Sequence, residues 1–225
     1  MRLTIQAGLM LAAMVCLRAE TLEAVLARMD ASARDFHSFT AHVKETSFTS
    51  VINDSEVSNG TVRMKRVKGG VMGIVDFSDP DVRTIGIRGH AVEIYHPKAH
   101  AVEVYDTTKY TSAIDGYFLL GFGDTAADLN RGYDVKLGGA ETLGEVATTW
   151  IMLVPKSPEV LKVIRQFDLW IPEGKSNPLQ TKVFKQGSKD TITFLYSDLK
   201  VNGALPDALF ELKIPPGTRR ITPQK

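Results

Sequence analysis

The apolar residues near the start of the chain recur at three- and four-residue spacing, which is the period of an amphipathic helix. The members of this repeat are Leu22, Val25, Leu26, Met29, Ala33 and Phe36. Thr21 can cap such a helix, and Glu23 places a negative charge in its first turn, where the helix dipole favours one. The pattern therefore predicts a helix over residues 21–36.

From Phe39 onward the period changes to two, as in strands whose successive side chains point to opposite faces. The clearest hairpin spans residues 91–106, where the segments VEIY and VEVY flank the turn HPKA at 96–99. The same alternation and its turn signals predict strands at residues 39–44, 61–67, 70–77, 82–87, 91–95, 102–105, 133–137, 148–154, 160–171, 179–186 and 191–199.

Residues 107–131 lack strand alternation and separate the two groups of predicted strands. Their apolar positions predict one or two short helices, interrupted around Gly121 and Gly123. Many short strands favour a mainly β chain with some α structure: one large antiparallel sheet of about 11 strands, curled into a barrel or half-barrel. Helices packed across the mouth of such a sheet leave an apolar cavity, the usual place for an apolar ligand.

Composition narrows the class of protein. The 225 residues are 44% hydrophobic and 24% charged, which is typical of a globular chain, and a net charge of +1 gives no electrostatic case for nucleic-acid binding. Residues 3–17 carry no charge and follow Arg2, as in a secretory signal peptide. We expect cleavage after Ala19, export across a membrane, and a single mature domain over residues 20–225.

The one cysteine, Cys16, lies inside this leader. It is either a residue of the removed signal or a lipid-modified cysteine at a lipoprotein cleavage site, although Met14 and Val15 are bulkier than such a site prefers. Cleavage after Ala19 leaves a mature chain without a thiol, which excludes disulfides and thiolate metal sites. An exported domain without disulfides favours the bacterial cell envelope.

Motifs for catalysis are missing from the sequence. It contains no Gly-x-Ser-x-Gly, no phosphate-binding Gly-rich loop and no His-Glu-x-x-His, so we predict that the protein is not an enzyme and uses no cofactor. An envelope hydrolase is the alternative, since facing carboxylates cannot be identified from sequence. His90, His96 and His100 cluster around one hairpin and could bind a metal, but nothing fixes them on one face. We interpret them as solvated turn histidines.

Arg66 is the most informative charged residue. It shares one face of a predicted strand with Val62 and Met64. If that face lines the cavity, the guanidinium points towards the apolar interior or its rim and needs an anionic or carbonyl partner. The alternative is a strand end at which the arginine reaches water.

Four stretches resemble the periplasmic outer-membrane lipoprotein carrier (LolA) family, and together they span nearly the whole mature chain. The stretches are Met29-Asp30 with FHSFTA at 36–41, GTVRMKR at 60–66, RGH at 88–90 with EIYHP at 93–97, and LP at 205–206 with LFELKIPPGT at 209–218. The chain departs from the family pattern where Val67 replaces a proline and Glu93 replaces a tryptophan.

The resemblance implies an incomplete antiparallel barrel, covered by helices, whose apolar cavity holds acyl chains. It implies a monomeric carrier that takes lipoproteins from an inner-membrane release complex to an outer-membrane acceptor, with Arg66 holding a lid shut and Met29 at a position that affects its opening. The lipid-binding and lid residues predicted on this basis are Arg66, Met29, Phe36, Val62, Met64, Tyr117, Phe118, Leu120, Trp150 and Met152. The alternative is a lipid-sensing or regulator-binding module of the envelope with the same fold.

Overall fold

The computed structural model describes residues 20–68, 70–78, 80–89, 91–106 and 120–222. The predicted signal peptide with Cys16, residue His90, and most of the predicted helical insert therefore lie outside the described residues. No helix in the described ranges is long and apolar enough to cross a membrane.

The described residues form three α-helices, α1 (Leu22–Ala33), α2 (Ala126–Gly132) and α3 (Pro158–Leu161), with two short 3-10 helices, Pro97–Ala99 and Asp207–Phe210. Helix α1 begins as predicted, because the Thr21 side chain accepts a hydrogen bond from the amide of Ala24 at 3.3 Å. The helix ends at Ala33, earlier than the predicted end at Phe36.

Twelve strands form one open sheet in the order β12-β6-β5-β4-β3-β2-β1-β11-β10-β9-β8-β7, which confirms the predicted incomplete barrel with helices. All neighbouring pairs are antiparallel except β12 and β6. The strands are β1 (Ser38–Thr49), β2 (Asp54–Val67), β3 (Gly70–Phe77), β4 (Arg83–Arg88), β5 (Ala91–His96), β6 (Ala101–Asp106), β7 (Tyr133–Leu143), β8 (Val146–Pro155), β9 (Ile164–Pro172), β10 (Gln180–Lys185), β11 (Thr191–Val201) and β12 (Arg219–Ile221).

Two sequence predictions about strands were wrong in detail. The predicted strand 160–171 begins only at Ile164, because Ser157 caps a helical turn that has Pro158 in its first turn. The Pro-rich tail contains a further strand, β12, which pairs in parallel with β6. Earlier in the same tail, Phe210 is buried against Met72 and Ile74.

Helix α1 packs on one face of the sheet, which we call the inner face. Strand β1 shows the alternation: Phe39 and Val43 are buried on the inner face, whereas His42 and Lys44 are exposed on the outer face. Residues of both halves of the sheet join α1 in one apolar cluster, including Val25 and Met29 of the helix and members of strands β1, β2, β3, β8, β9, β10 and β11. The core is therefore shared between the two halves of the chain.

The outer face of the β2–β4 region is covered by the segment after β11. Phe210 packs there on Met72 and Ile74, and Leu212 lies 3.3 Å from the position that a Cβ on Gly86 would take. The ammonium group of Lys65 donates to the carbonyl oxygen of Leu205 at 2.9 Å. Because these contacts cover the outer face of the β2–β4 region, the inner face is the candidate for a ligand site there.

Candidate functional site

Residues 120–125, which we call the closing segment, lie against the inner face of the sheet. The side chains of Leu120 and Phe122 are fully buried. The Phe122 ring stacks on Phe39 with 4.2 Å between centroids and meets the edge of Tyr196 at 5.2 Å. The closing segment therefore fills the inner face with apolar side chains, although it belongs to neither a strand nor a helix.

The backbone of the closing segment turns sharply at two glycines. Gly121 has φ +85° and Gly123 has φ +71°, a region that other residues rarely adopt. A Cβ on Gly123 would lie 2.2 Å from Cδ1 of Phe36, so the aromatic ring packs directly on the backbone. The Asp124 carboxylate accepts a hydrogen bond from the Gly121 amide at 2.8 Å and closes the turn.

Arg66, next to the last residue of β2, holds the closing segment against the sheet. Its Nη2 donates to the carbonyl oxygen of Gly123 at 3.0 Å and lies 3.5 Å from that of Phe122. The same nitrogen is 3.7 Å from Oδ1 of Asp124, and the guanidinium lies 5.7 Å from the centre of the Phe36 ring. With 41% of its side chain exposed, Arg66 forms the rim of the site and joins β2 to the closing segment.

Asp124 is the buried charge of this site, with 19% of its side chain exposed. Burial raises the pKa of its carboxyl to about 6, and the neighbouring Asp128 acts in the same direction. The Gly121 amide and the Arg66 guanidinium oppose this rise, but burial dominates. Burial, together with the charge of Asp124, raises the pKa of Tyr133 to about 12.

Helix α2 anchors the other end of the closing segment. Thr125 and Asp128 form a reciprocal capping box at its first turn. The Ala126 amide donates to Oδ1 of Asp30 at 2.6 Å, which ties α2 to α1. The closing segment is thus attached firmly at Ala126, whereas near Phe122 and Gly123 its polar contacts to the sheet come from Arg66.

Five of the sequence-predicted site residues belong to the buried apolar cluster of the inner face. These are Met29, Phe36, Val62, Met64 and, within the closing segment, Leu120; Arg66 bonds to that segment at the rim. Gly73 on β3 leaves room for Met64, since a Cβ there would lie 2.9 Å from the end of that side chain.

Two predicted residues lie elsewhere. Trp150 and Met152 point to the outer face of β8, opposite the buried Ile151, and Trp150 stacks on Trp170 with 5.9 Å between ring centroids. Tyr117 and Phe118 lie outside the described residues.

Sequence reasoning missed the residues that make the closure itself. Phe122 and Asp124 occur in a segment without periodicity, so no pattern assigned their side chains a direction. The available signal was local: an aspartate directly after Gly-Phe-Gly, in a run that is otherwise apolar. Tyr196 was assigned only to a strand, yet it is buried against Phe122.

The histidines around the β5–β6 hairpin form no metal site in the described part of the chain. His96 pairs with Glu103 at 3.8 Å, and within the described residues no group of three metal-binding side chains occurs.

A groove of about 920 Å³ crosses the outer face, and its walls include His42, Lys44 and Leu195. It lies across the sheet from the closing segment and shares none of the predicted site residues.

The raised pKa of Asp124 predicts an unusual dependence of stability on pH. The folded carboxyl titrates near pH 6 and the unfolded one near 3.8, so the folded state holds the extra proton between these values. The contribution of this carboxyl to the free energy of unfolding is therefore greatest below about pH 4, and it falls by about 3 kcal/mol as the pH rises from 4 to above 6. The Asp124→Asn variant should lose this slope and be more stable than the wild type at pH 7.5 in urea unfolding.

A matched control lies four residues further along. The Thr125 hydroxyl lowers the pKa of Asp128, so this carboxylate stabilises the fold above its ordinary pKa and loses that contribution as pH falls. Asp128→Asn should therefore change the pH profile in the opposite sense. Equal slopes for wild type and Asp124→Asn between pH 4 and 7 would contradict the assignment.

Comparison with known proteins shows a shared fold. No protein-family model matches the chain, and no curated protein sequence does. The solved structures that resemble it include one described as a LolA superfamily protein, at low sequence identity. An uncharacterized conserved protein from Thermus thermophilus has 12% identity and a TM-score of 0.52, over 91% of this chain and 100% of its own.

Two further structures carry more specific names. A LolA superfamily protein from Nitrosomonas europaea has 15% identity and a TM-score of 0.42, over 86% of this chain and 99% of its own. The lipoprotein LppX from Mycobacterium tuberculosis has 15% identity and a TM-score of 0.45, over 83% of this chain and 99% of its own. Neither likeness says which ligand this chain binds, and the ligand is argued from the site alone.

Proposed function

We propose that the protein is a periplasmic carrier that binds the acyl chains of lipoproteins beneath the closing segment and shuttles them from the inner to the outer membrane. The observation that carries this proposal is the closure itself. Phe122 and Leu120 cover the inner face with apolar side chains, and the half-exposed Arg66 bonds the backbone of their segment to the sheet.

Movement of the closing segment away from the sheet would expose an apolar surface. The side chains around Phe122 and Leu120 are aromatic or flexible: Phe39 and Tyr196 contact the Phe122 ring, and the thioethers of Met29 and Met64 lie in the same cluster. Thioethers adapt to ligands of irregular shape. An acyl chain that entered here would replace the contacts of Phe122 with contacts of its own.

The magnitudes favour that exchange. Burial of Leu120 and Phe122 contributes about 3–6 kcal/mol together, at about 1.5–3 kcal/mol for each side chain. An acyl chain of about 16 carbons contributes about 12 kcal/mol at about 0.8 kcal/mol per buried methylene. A lipid can therefore displace the closing segment, and the segment can cover the surface again when the lipid leaves.

The transport step and its partners rest on the motif resemblance. Arg66 matches the family arginine that holds the lid shut, and here it bonds to the Gly123 carbonyl oxygen. We propose that cargo entry breaks this bond and that an acceptor at the outer membrane withdraws the chain. An inner-membrane release complex would supply the cargo.

Native mass spectrometry of freshly purified protein, together with displacement of a fluorescent fatty acid by a triacylated lipopeptide, tests the proposal. We expect a bound mass of an acylated molecule in the wild type. In the Met64→Asp variant, the affinity for the fluorescent fatty acid should fall at least tenfold. The control is Met152→Asp, whose side chain lies on the outer face. A protein that carries no lipid and binds no probe, yet holds a regulatory protein stably, would overturn the proposal.

A further inference from the structure

Two adjacent aliphatic side chains project from the tip of the β1–β2 hairpin. Val51 is 90% exposed and Ile52 is 68% exposed, the largest values among the large apolar residues in the described ranges. Single exposed apolar residues are common on protein surfaces, but an adjacent pair of branched side chains at a projecting tip is not. The tip lies between Thr49 and Asp54, beyond the last paired residues of the two strands.

Polar contacts at its base hold this tip in place. The amide and the hydroxyl of Ser50 both donate to Oδ1 of Asp190, at 2.8 and 2.7 Å. The amide of Ser55 donates to Oδ1 of Asp54 at 2.8 Å, and Asn53 adopts the left-handed region with φ +49°. The two aliphatic side chains are therefore presented by a fixed turn, bonded on one side to the neighbouring β10–β11 hairpin.

The tip itself is uncharged, and groups of both signs lie around it. Residues 49–53 carry no charge, so their entry into an apolar layer would desolvate no ion. Lys185 and Lys189 lie in and beside the neighbouring turn, where long cationic side chains can reach lipid phosphates. Asp54 and Glu56 at the start of β2 are exposed acids, and a third acid is Asp190, whose pKa is lowered by its hydrogen bonds with Ser50. These charges therefore give no preference for anionic over zwitterionic lipid.

The small area of the tip argues against a protein partner. A stable protein interface buries about 800 Å² on each side. Two side chains on a convex turn bury far less than this, and the residues that flank them are short and polar. A lipid interface has no such minimum, because its headgroup layer adapts to a protruding turn.

We propose that the β1–β2 tip is a membrane-contacting element, with Val51 and Ile52 entering the headgroup layer of a bilayer. The inference deepens the proposed carrier function, on which it rests for its biological meaning: a carrier must reach two membranes and leave both. Two short aliphatic side chains give weak and reversible binding, since even a single fourteen-carbon anchor binds only marginally.

Vesicle sedimentation with the full chain tests this inference. The vesicles contain phosphatidylethanolamine and phosphatidylglycerol, and the variant is Val51→Ser with Ile52→Ser. We expect its partition coefficient to fall at least tenfold relative to the wild type. The control is Val201→Ser with Leu209→Ser, two other apolar residues that are each 43% exposed. It should change partitioning by no more than twofold.

The same samples separate this inference from the proposed function. Binding of the fluorescent fatty acid should be equal in the wild type and the tip variant, since the tip lies outside the buried cluster. Tip-dependent vesicle binding without fatty-acid binding would overturn the carrier and leave the membrane contact standing. Wild-type protein that stays in the supernatant, or a tip variant that sediments equally well, would overturn the membrane contact.

Discussion

The Arg66→Leu variant is expected to expose the backbone amides of residues 121–124 to hydrogen exchange about 10- to 100-fold faster than the wild type. The leucine cannot donate to the carbonyl oxygens of Phe122 and Gly123, and Asp124 loses the cation that faces it. Hydrogen bonds from a charged donor contribute about 1.5–3 kcal/mol, which corresponds to this range in the equilibrium constant for opening of the segment. Hydrogen exchange read by mass spectrometry on peptides that cover the closing segment would measure it.

The control for this prediction lies on the same strand. Arg63 pairs with Asp76 on the outer face, so Arg63→Leu removes an arginine and an ion pair without touching the closing segment. It should leave exchange at residues 121–124 within about twofold of the wild type. If Arg63→Leu and Arg66→Leu accelerated exchange equally, the effect would reflect general loss of stability, and Arg66 would have no special role in closure.

A more open Arg66→Leu protein should also bind acyl chains differently. Closure reduces the apparent affinity for any ligand that must enter beneath the segment, by the fraction of molecules that are open. The variant should therefore bind the fluorescent fatty acid more tightly and release it to an acceptor more slowly. Tighter binding with slower release is the pattern expected of a lid residue, whereas an arginine that only reaches water would change neither.

Replacement of Phe122 with alanine should have the largest effect on stability. The ring is fully buried between Phe39 and Tyr196, and truncation of a buried phenylalanine costs about 3–5 kcal/mol. The cavity left behind is lined by aromatic and thioether groups and should bind small apolar molecules. Chemical unfolding with and without a saturating fatty acid would show both effects, because a ligand that binds only the folded state restores part of the lost stability.

Phe77→Ala provides the matched comparison. Phe77 is also buried, but it lies on β3 against Arg83 and away from Phe122. It should cost a similar free energy, and the fatty acid should stabilise it no more than it stabilises the wild type. If ligand stabilises both variants equally, the closing segment is not the entry point. Phe122→Leu, which keeps the site apolar, should lie between the wild type and Phe122→Ala.

The fold was largely predictable because one pattern dominates it. Alternation over β1 and β2 placed Phe39, Val62 and Met64 on one face, and that face is buried. Alternation failed on β8, where Trp150 and Met152 are as apolar as Ile151 and Leu153, so hydrophobicity could not distinguish the two faces.

The closing segment was beyond such reasoning for a different reason. The direction of the Phe122 side chain follows from two left-handed glycines and from the carbonyl contacts of Arg66, which are long-range features without a period. The last strand, β12, has only three residues, two of them arginines; it pairs with β6, and its Arg220 forms an ion pair with Glu93 on β5. Sequence periodicity cannot detect an element that depends on a partner more than 100 residues away.

The position of β1 in the sheet has a consequence for synthesis and export. This strand lies between β2, its neighbour in sequence, and β11, which is made about 150 residues later. The outer face of β3 also stays uncovered until Phe210 has been made. Strands β1–β6 can pair with their sequence neighbours early, but the core that the two groups of strands share closes only when β11 pairs with β1, so the fold should be completed late. Late completion would suit the export that the sequence predicts.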